Sequence, residues 1–184
     1  MSIKYAILGF LSWSSLTGYD LKKLFEESAA FHWSGNNNQI YKALVELHDE
    51  GLVTLEIQQQ TDHPPRKIYT ITEGGQEALR QWVLSPPELP QVRKPFLAQL
   101  AWADQLSGAE LDGLLAQYEE EIHIELLMFR ENKQRNKVSP QRTPREAYLW
   151  DMVMDNWITF YENELNWIRT VRTGLGQLHT GEQS

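Results

Sequence analysis

A mainly α fold with a small two-stranded β wing is predicted by three observations on this 184-residue chain. First, the segment from Ser34 to Asp49 has helical spacing at Ile40, Tyr41, Leu44, Val45 and Leu47, and opens on a polar run, Asn36-Asn37-Asn38-Gln39. Second, the period changes to two immediately after Gly51. Leu52–Gln58 alternates, Thr61-Asp62-His63-Pro64-Pro65 forms a turn cluster, and Lys67–Ile71 returns as a second strand. Third, everything beyond the Pro-rich stretch 85–90 has helical spacing. A polar-fronted helix followed by a cation-tipped hairpin is the layout of a winged helix-turn-helix, in which the helix reads the major groove and the hairpin touches phosphates.

The elements follow in order. Ile3, Ile7, Phe10 and Leu11 predict a buried first helix over residues 3–13. Thr17 caps a second, Gly18–Glu27, whose apolar face is Tyr19, Leu21, Leu24 and Phe25. Gly51 suits the left-handed turn that closes the third. Thr72 starts a fourth helix, with Leu79, Trp82 and Val83 expected inward. The Ser85–Pro90 stretch is the expected domain boundary, separating a DNA-binding domain (1–85) from a helical dimerisation and effector domain (91–178), with a flexible tail at 179–184. The second domain should hold a short helix over 92–105 and two long ones. Ser107-Gly108-Ala109-Glu110 opens the first, to about residue 136, and Thr143-Pro144-Arg145-Glu146 the second, to about residue 175; both read as capping boxes.

Apolar positions on the long helices (Leu111, Leu115, Tyr118, Ile122, Leu126, Phe129; then Met154, Ile158, Tyr161, Leu165, Ile168) alternate between three and four apart. This predicts an antiparallel α-helical hairpin. Ile124, Leu127, Met128, Trp157 and Trp167 widen each stripe beyond what one partner helix covers, so a homodimer is expected; the rival is an intrachain bundle filled by the short helix.

Composition narrows the classes. Hydrophobic content of 41% and charged content of 23% indicate a folded domain. The absence of cysteine excludes disulfides and thiolate sites and fits a cytoplasmic location. No membrane span or signal peptide is read. The net charge is −8, and residues 1–84 hold seven Lys/Arg against ten Asp/Glu, so DNA affinity must come from placement of cations and not from their sum. The five histidines have no metal-site spacing, and no nucleophile, phosphate loop or other catalytic constellation occurs, so neither an enzyme nor a cofactor is expected.

The candidate DNA-binding residues are Asn36, Asn37, Asn38 and Gln39, whose amides can pair with adenine edges; Tyr41 and Lys42 one turn later; Arg66 and Lys67 in the wing; and Lys22 as a phosphate contact. The bland alternative makes the asparagines a loop and cap, Tyr41 packing, and the cations a solvated surface. Among seven tryptophans, Trp82, Trp102, Trp150 and Trp157 are candidates for a planar effector, against core packing as the alternative.

Gln39-Ile40-Tyr41-Lys42-Ala43-Leu44, Glu50-Gly51-Leu52-Val53, Pro64-Pro65-Arg66-Lys67-Ile68-Tyr69, Ile71-Thr72-Glu73-Gly74-Gly75 and Leu79-Arg80-Gln81-Trp82 stand in the order found in PadR-like transcriptional regulators. Ala6–Leu11, Gly18–Leu21 and Lys94-Pro95-Phe96-Leu97 fit as well. The chain resembles the longer branch of that family, a winged helix followed by a helical dimerisation domain. The resemblance implies dimers on palindromic double-stranded operators, mostly as repressors, some released by phenolic acids or other small aromatic compounds. The Asn36-Asn37-Asn38 run departs from the Ser, His, Gln or small residues common there. An activator of the same family, or a winged helix serving only protein interaction, are the alternatives.

Overall fold

The computed structural model describes residues 3–28, 37–59, 65–89, 93–135 and 140–181. The chain divides into two compact units, Met1–Glu88 and Leu89–Ser184.

The first unit contains helices α1 (Ile3–Leu11), α2 (Gly18–Glu27), α3 (Asn37–Asp49) and α4 (Glu73–Leu84), with strands β1 (Leu16–Thr17), β2 (Val53–Gln58) and β3 (Arg66–Ile71). Its core is built from Ile7, Leu8 and Phe10 of α1, Leu21 of α2 and Leu44 and Leu47 of α3, all essentially inaccessible. The mainly helical class with a β wing is borne out, with one addition: the sheet has three antiparallel strands in the order β1-β3-β2. β1 pairs Leu16 with Tyr69 and Thr17 with Ile68. Two residues are too short to display a period of two, which is why only the cap at Thr17 was legible.

Gly51 has φ 69° and closes α3 in a Schellman turn, Leu52 N–H bonding Leu47 O at 2.9 Å and Gly51 N–H bonding His48 O at 2.9 Å. Thr72 then staples α4 to that turn. Its hydroxyl donates to Gly51 O (2.9 Å) and accepts from Gly75 N–H (3.0 Å). A side chain at Gly75 would meet the Leu52 carbonyl oxygen at 2.1 Å, so only glycine permits this approach.

Several apolar residues read at the spacing of an inward face lie outside. Tyr19 is 68%, Val45 57%, Ile57 53% and Val83 67% exposed. The hairpin buries Val53 and Tyr69 at its base only, and its outer length extends past the core. The first helix also stops at Leu11, where Ser12 and Trp13 turn.

The second unit holds α5 (Pro95–Ala101), a 3-10 turn at Ala103–Gln105, α6 (Gly108–Arg135) and α7 (Pro144–Gly181). The single helix expected over 92–105 is therefore broken at Trp102. α7 runs past its expected end, because Gly174 and Gly176 each cost a helix only about 1 kcal/mol. Paired residues run in opposite directions along α6 and α7: Asp112 with Arg172, Glu119 with Arg169, Arg130 with Glu162 and Lys133 with Asp155. The two helices form the expected antiparallel hairpin, burying Leu115, Ile122, Leu126 and Phe129 against Tyr161, Leu165 and Ile168. Ser107 and Glu110 make the full capping box of α6. At α7, Thr143 caps Glu146 N–H, but the Glu146 carboxylate takes the N–H and guanidinium of Arg142, one residue earlier than a capping box requires.

Glu164 is 8% exposed yet satisfied on both oxygens, by Lys94 Nζ at 2.7 Å and the Tyr118 hydroxyl at 2.9 Å. Phe96 stacks on Tyr118 at 3.7 Å between ring centroids. Burial, together with Glu164 beside it, pushes the Tyr118 hydroxyl well above the ordinary phenol range. These contacts dock the start of α5 on the hairpin.

In the first unit one carboxylate does comparable service. Asp20 Oδ2 accepts from Thr17 N–H (3.0 Å), Thr17 Oγ1 (2.7 Å) and Arg66 Nη2 (3.2 Å), while Asp20 N–H bonds Thr17 Oγ1 (3.1 Å). Burial pushes the Asp20 carboxyl up, but the Thr17 and Arg66 donors outweigh it and hold it below the ordinary carboxylate value. A depressed folded-state value means the stabilisation is present above the unfolded value and lost as pH falls through the folded one. Asp20→Asn should cost the first unit about 1 kcal/mol at neutral pH, seen as a lower melting temperature. The gap from the parent protein should close below the carboxylate range; a gap independent of pH would refute the role given to the charge.

Candidate nucleic-acid interface

α3 has two faces. Ile40, Ala43, Leu44 and Leu47 are buried, and Asn38, Gln39, Tyr41, Lys42, Val45 and Asp49 are exposed. The helix starts at Asn37. Asn36 lies outside the described residues, so its predicted base contact has no geometry here. Asn38 and Gln39 stand on the first turn, where amide side chains have reach and the helix N-terminus favours an anion. Lys42 stands one turn further along.

The hairpin base lies beside this face. The Tyr41 ring packs on the start of α2 so closely that a methyl group on Gly18 would meet its Cε1 at 2.5 Å. That accounts for one edge of the ring, and the residue remains 50% exposed. Tyr69 of β3 has its hydroxyl pushed up by burial and by Tyr41 nearby. Arg66 reaches back to Asp20, and Ser15 and Thr70 hydroxyls meet at 2.7 Å beside the β1–β3 pairing. α2, α3 and the wing are thus joined through Tyr41, Asp20 and β1.

The remaining cations sort by their partners. Lys4 is held by Glu50 at 2.6 Å and Glu46 at 3.2 Å, at the far end of α3 from the amides. The Glu50 hydrogen bond above all keeps its ammonium above the ordinary value against the cost of burial. Lys22 pairs with Glu26 (3.6 Å) and Lys23 with Glu27 (3.9 Å), as i,i+4 pairs on an exposed face. Lys42 and Lys67 are the lysines of the first unit that make no ion pair among the described residues. A lysine bound to carboxylates must exchange partners to meet a phosphate; an unpaired one loses only water.

Tyr19, 68% exposed at the start of α2, and Val45 were both assigned to apolar faces from the sequence. The spacing of Val45 from Asn38 and Tyr41 (seven and four residues) already placed it on their stripe, and was the available signal.

The four candidate effector tryptophans do not share a unit. Trp82, in the first, stacks on Tyr5 at 5.0 Å and 6°. In the second, Trp102 is 74% exposed, Trp150 is half-buried, and Trp157 stacks on Phe129 at 5.7 Å. An open groove of about 440 Å³ in this unit is lined by Leu111, Leu115, Leu175 and Arg172, and by none of the tryptophans. Among the described residues no group of three or more His, Asp or Glu is arranged to hold a metal, and no helix is long and apolar enough to cross a membrane.

Residues 7–81 match the model of the transcriptional regulator PadR-like family, and residues 92–175 that of the virulence activator alpha C-terminal region. The negative transcriptional regulator PadR of Bacillus subtilis is 34% identical over 113 residues, which are 61% of this chain and 62% of that protein; the chain thus spans under two thirds of this curated relative in that alignment. The crystal structure of B. subtilis PadR with operator DNA superposes with a TM-score of 0.78 at 26% identity, covering 92% of this chain and 95% of that one. The same protein with p-coumaric acid gives 0.74 at 25% identity over 93% and 97%. The Vibrio cholerae virulence activator AphA gives 0.70 at 25% identity over 96% and 99%. The chain thus carries a PadR-like transcriptional regulator domain over residues 7–81, followed by a virulence activator alpha C-terminal domain over residues 92–175.

Proposed function

We propose that the protein regulates transcription by binding a two-fold symmetric DNA operator as a homodimer, and that its binding lowers transcription. The observation that carries this reading is the exposed amide-and-lysine face of α3 together with a hairpin whose outer end carries Arg66 and Lys67. Asn38 and Gln39 offer paired donors and acceptors to base edges, and Asn36 and Asn37 precede them in the chain. Lys42, Arg66 and Lys67 meet phosphates, with Lys22 a further contact once freed from Glu26. The protein acts in the cytoplasm by occupying DNA, with no catalytic step and no cofactor.

The dimer reading rests on apolar surface. Ile124, Leu127 and Met128 of α6 and Tyr148, Leu149, Met152 and Val153 of α7 are each 41% exposed or more, and a second copy would cover them. The second unit is accordingly a dimerisation domain that sets the separation of two reading heads, matching half-sites about 34–36 Å or a multiple apart. Release by a small aromatic acid is supported by the B. subtilis relative, solved with p-coumaric acid, and by the tryptophan content of this chain. A transcriptional activator is the second reading, favoured by the likeness to AphA over nearly the whole chain. A reporter placed behind the bound fragment decides the sign.

Replacing Arg66 and Lys67 together by alanine should weaken binding to all duplex sequences and lower the slope of log affinity against log salt by roughly 2 per head; an unaltered slope would remove the wing from the interface. Sedimentation should give a dimer at micromolar concentration, dissociated by Leu149→Glu with Val153→Glu; a parent protein that sediments as a monomer would end the dimer reading. Saturable quenching of tryptophan fluorescence by p-coumaric acid, with release of bound DNA, is the expected effector response, and a flat titration would count against it.

A further inference from the structure

The solvent face of α3 carries one residue that neither the amide turn nor the cations explain. Val45 is 57% exposed, one turn beyond Tyr41 and two beyond Asn38 on the same stripe, opposite the core face of Ile40, Ala43, Leu44 and Leu47. A β-branched residue is a poorer helix former than alanine, so at this solvent position it does not help α3 to form. Beyond Val45 the stripe becomes acidic. Glu46 and Glu50 draw Lys4 to that end, and Asp49 is exposed. The Asp49 carboxylate, one turn beyond Val45 on the same stripe, repels phosphates, so the part of α3 offered to a groove ends at Val45. A valine side chain neither donates nor accepts a hydrogen bond. On the major-groove edge the one apolar group is the C5-methyl of thymine.

We propose that Val45 is a specificity-determining residue that packs on a thymine C5-methyl in each half-site. The assignment rests on the DNA-binding reading of α3 given above. It deepens that reading by naming a base feature that the amides and lysines do not select. With Tyr41 held against Gly18, the valine one turn further on projects from a backbone that is already anchored.

The test uses the full-length protein and its Val45→Ser and Val45→Ala variants, each selecting from a random-sequence duplex library. Melting curves of the variants should match the parent, since the site is exposed and alanine favours the helix. The parent should enrich thymine at one position per half-site where Val45→Ser accepts any base, with every other position retained. In the parent's best sequence that thymine is then replaced by deoxyuridine, which removes only the methyl group. The parent should lose about fourfold in affinity per half-site, or about 15-fold for both, the equivalent of one buried methylene each. Val45→Ser should be insensitive to the replacement, and Val45→Ala intermediate. Identical selected sequences, or equal deoxyuridine penalties in parent and Val45→Ser, would overturn the proposal and leave the DNA-binding reading standing. Failure of the parent itself to enrich any sequence would overturn both.

Discussion

Asp20 accepts three hydrogen bonds through one oxygen, and the relation between wing and helices in the first unit depends on them. Two bonds, from Thr17, start α2 in a defined direction. The third, from Arg66, ties down the first residue of β3. Because β1 ends at Thr17, the same few atoms also terminate the third strand of the sheet. A hairpin alone is marginal in water. Here its base is held by β1 pairing and by burial of Tyr69 and Val53, and its outer end by the Asp20–Arg66 bond. The arrangement suits a part that must project while keeping its register with α3.

The acidic balance of the chain looks different once the charges have positions. Lys4 is drawn to Glu46 and Glu50, and Lys22 and Lys23 lie along acidic neighbours on α2. The acids of α3 occupy its last turns, and its first turns carry amides and Lys42. A net charge summed over residues averages the two ends of a helix that behave oppositely. Lys42 lies on the amide side of this division.

The sequence made α3, the hairpin and the long helices legible because each carries its period over many residues and ends in recognisable chemistry, such as Gly51, Thr72 and Ser107. β1 was not legible, being two residues long, nor was the break of the short helix at Trp102. The Asp20–Arg66 bond links positions 46 apart, which no local pattern reports. The exposed apolar residues were the systematic miss. Val45, Ile57 and Val83 recur at the spacing of a buried face, and spacing alone does not separate a face turned to the core from one turned to a partner. The candidate tryptophans were chosen from their number alone, which does not report that Trp82 stacks on Tyr5 or that Trp102 is exposed in the other unit.

The count of usable cations bears on why the second unit carries so much exposed apolar surface. On the proposed reading, one head would offer about three phosphate contacts, through Lys42, Arg66 and Lys67, with Arg66 sharing its charge with Asp20. Affinity from counterion release scales with the number of neutralised phosphates, so a single head would hold DNA weakly at physiological salt. Two such heads in a dimer would bring the count to about six, where the salt term becomes worth orders of magnitude. The second head then binds at the high effective concentration that the link imposes, without paying again for association. The α6–α7 hairpin is crossed by paired charges from Asp112–Arg172 to Lys133–Asp155. On the proposed reading, its exposed Ile124, Leu127, Leu149 and Val153 would be the surface through which two copies join. On this account the modest charge of each head is a condition for regulation. Only when affinity depends on both heads at once can a small change in their separation release the DNA.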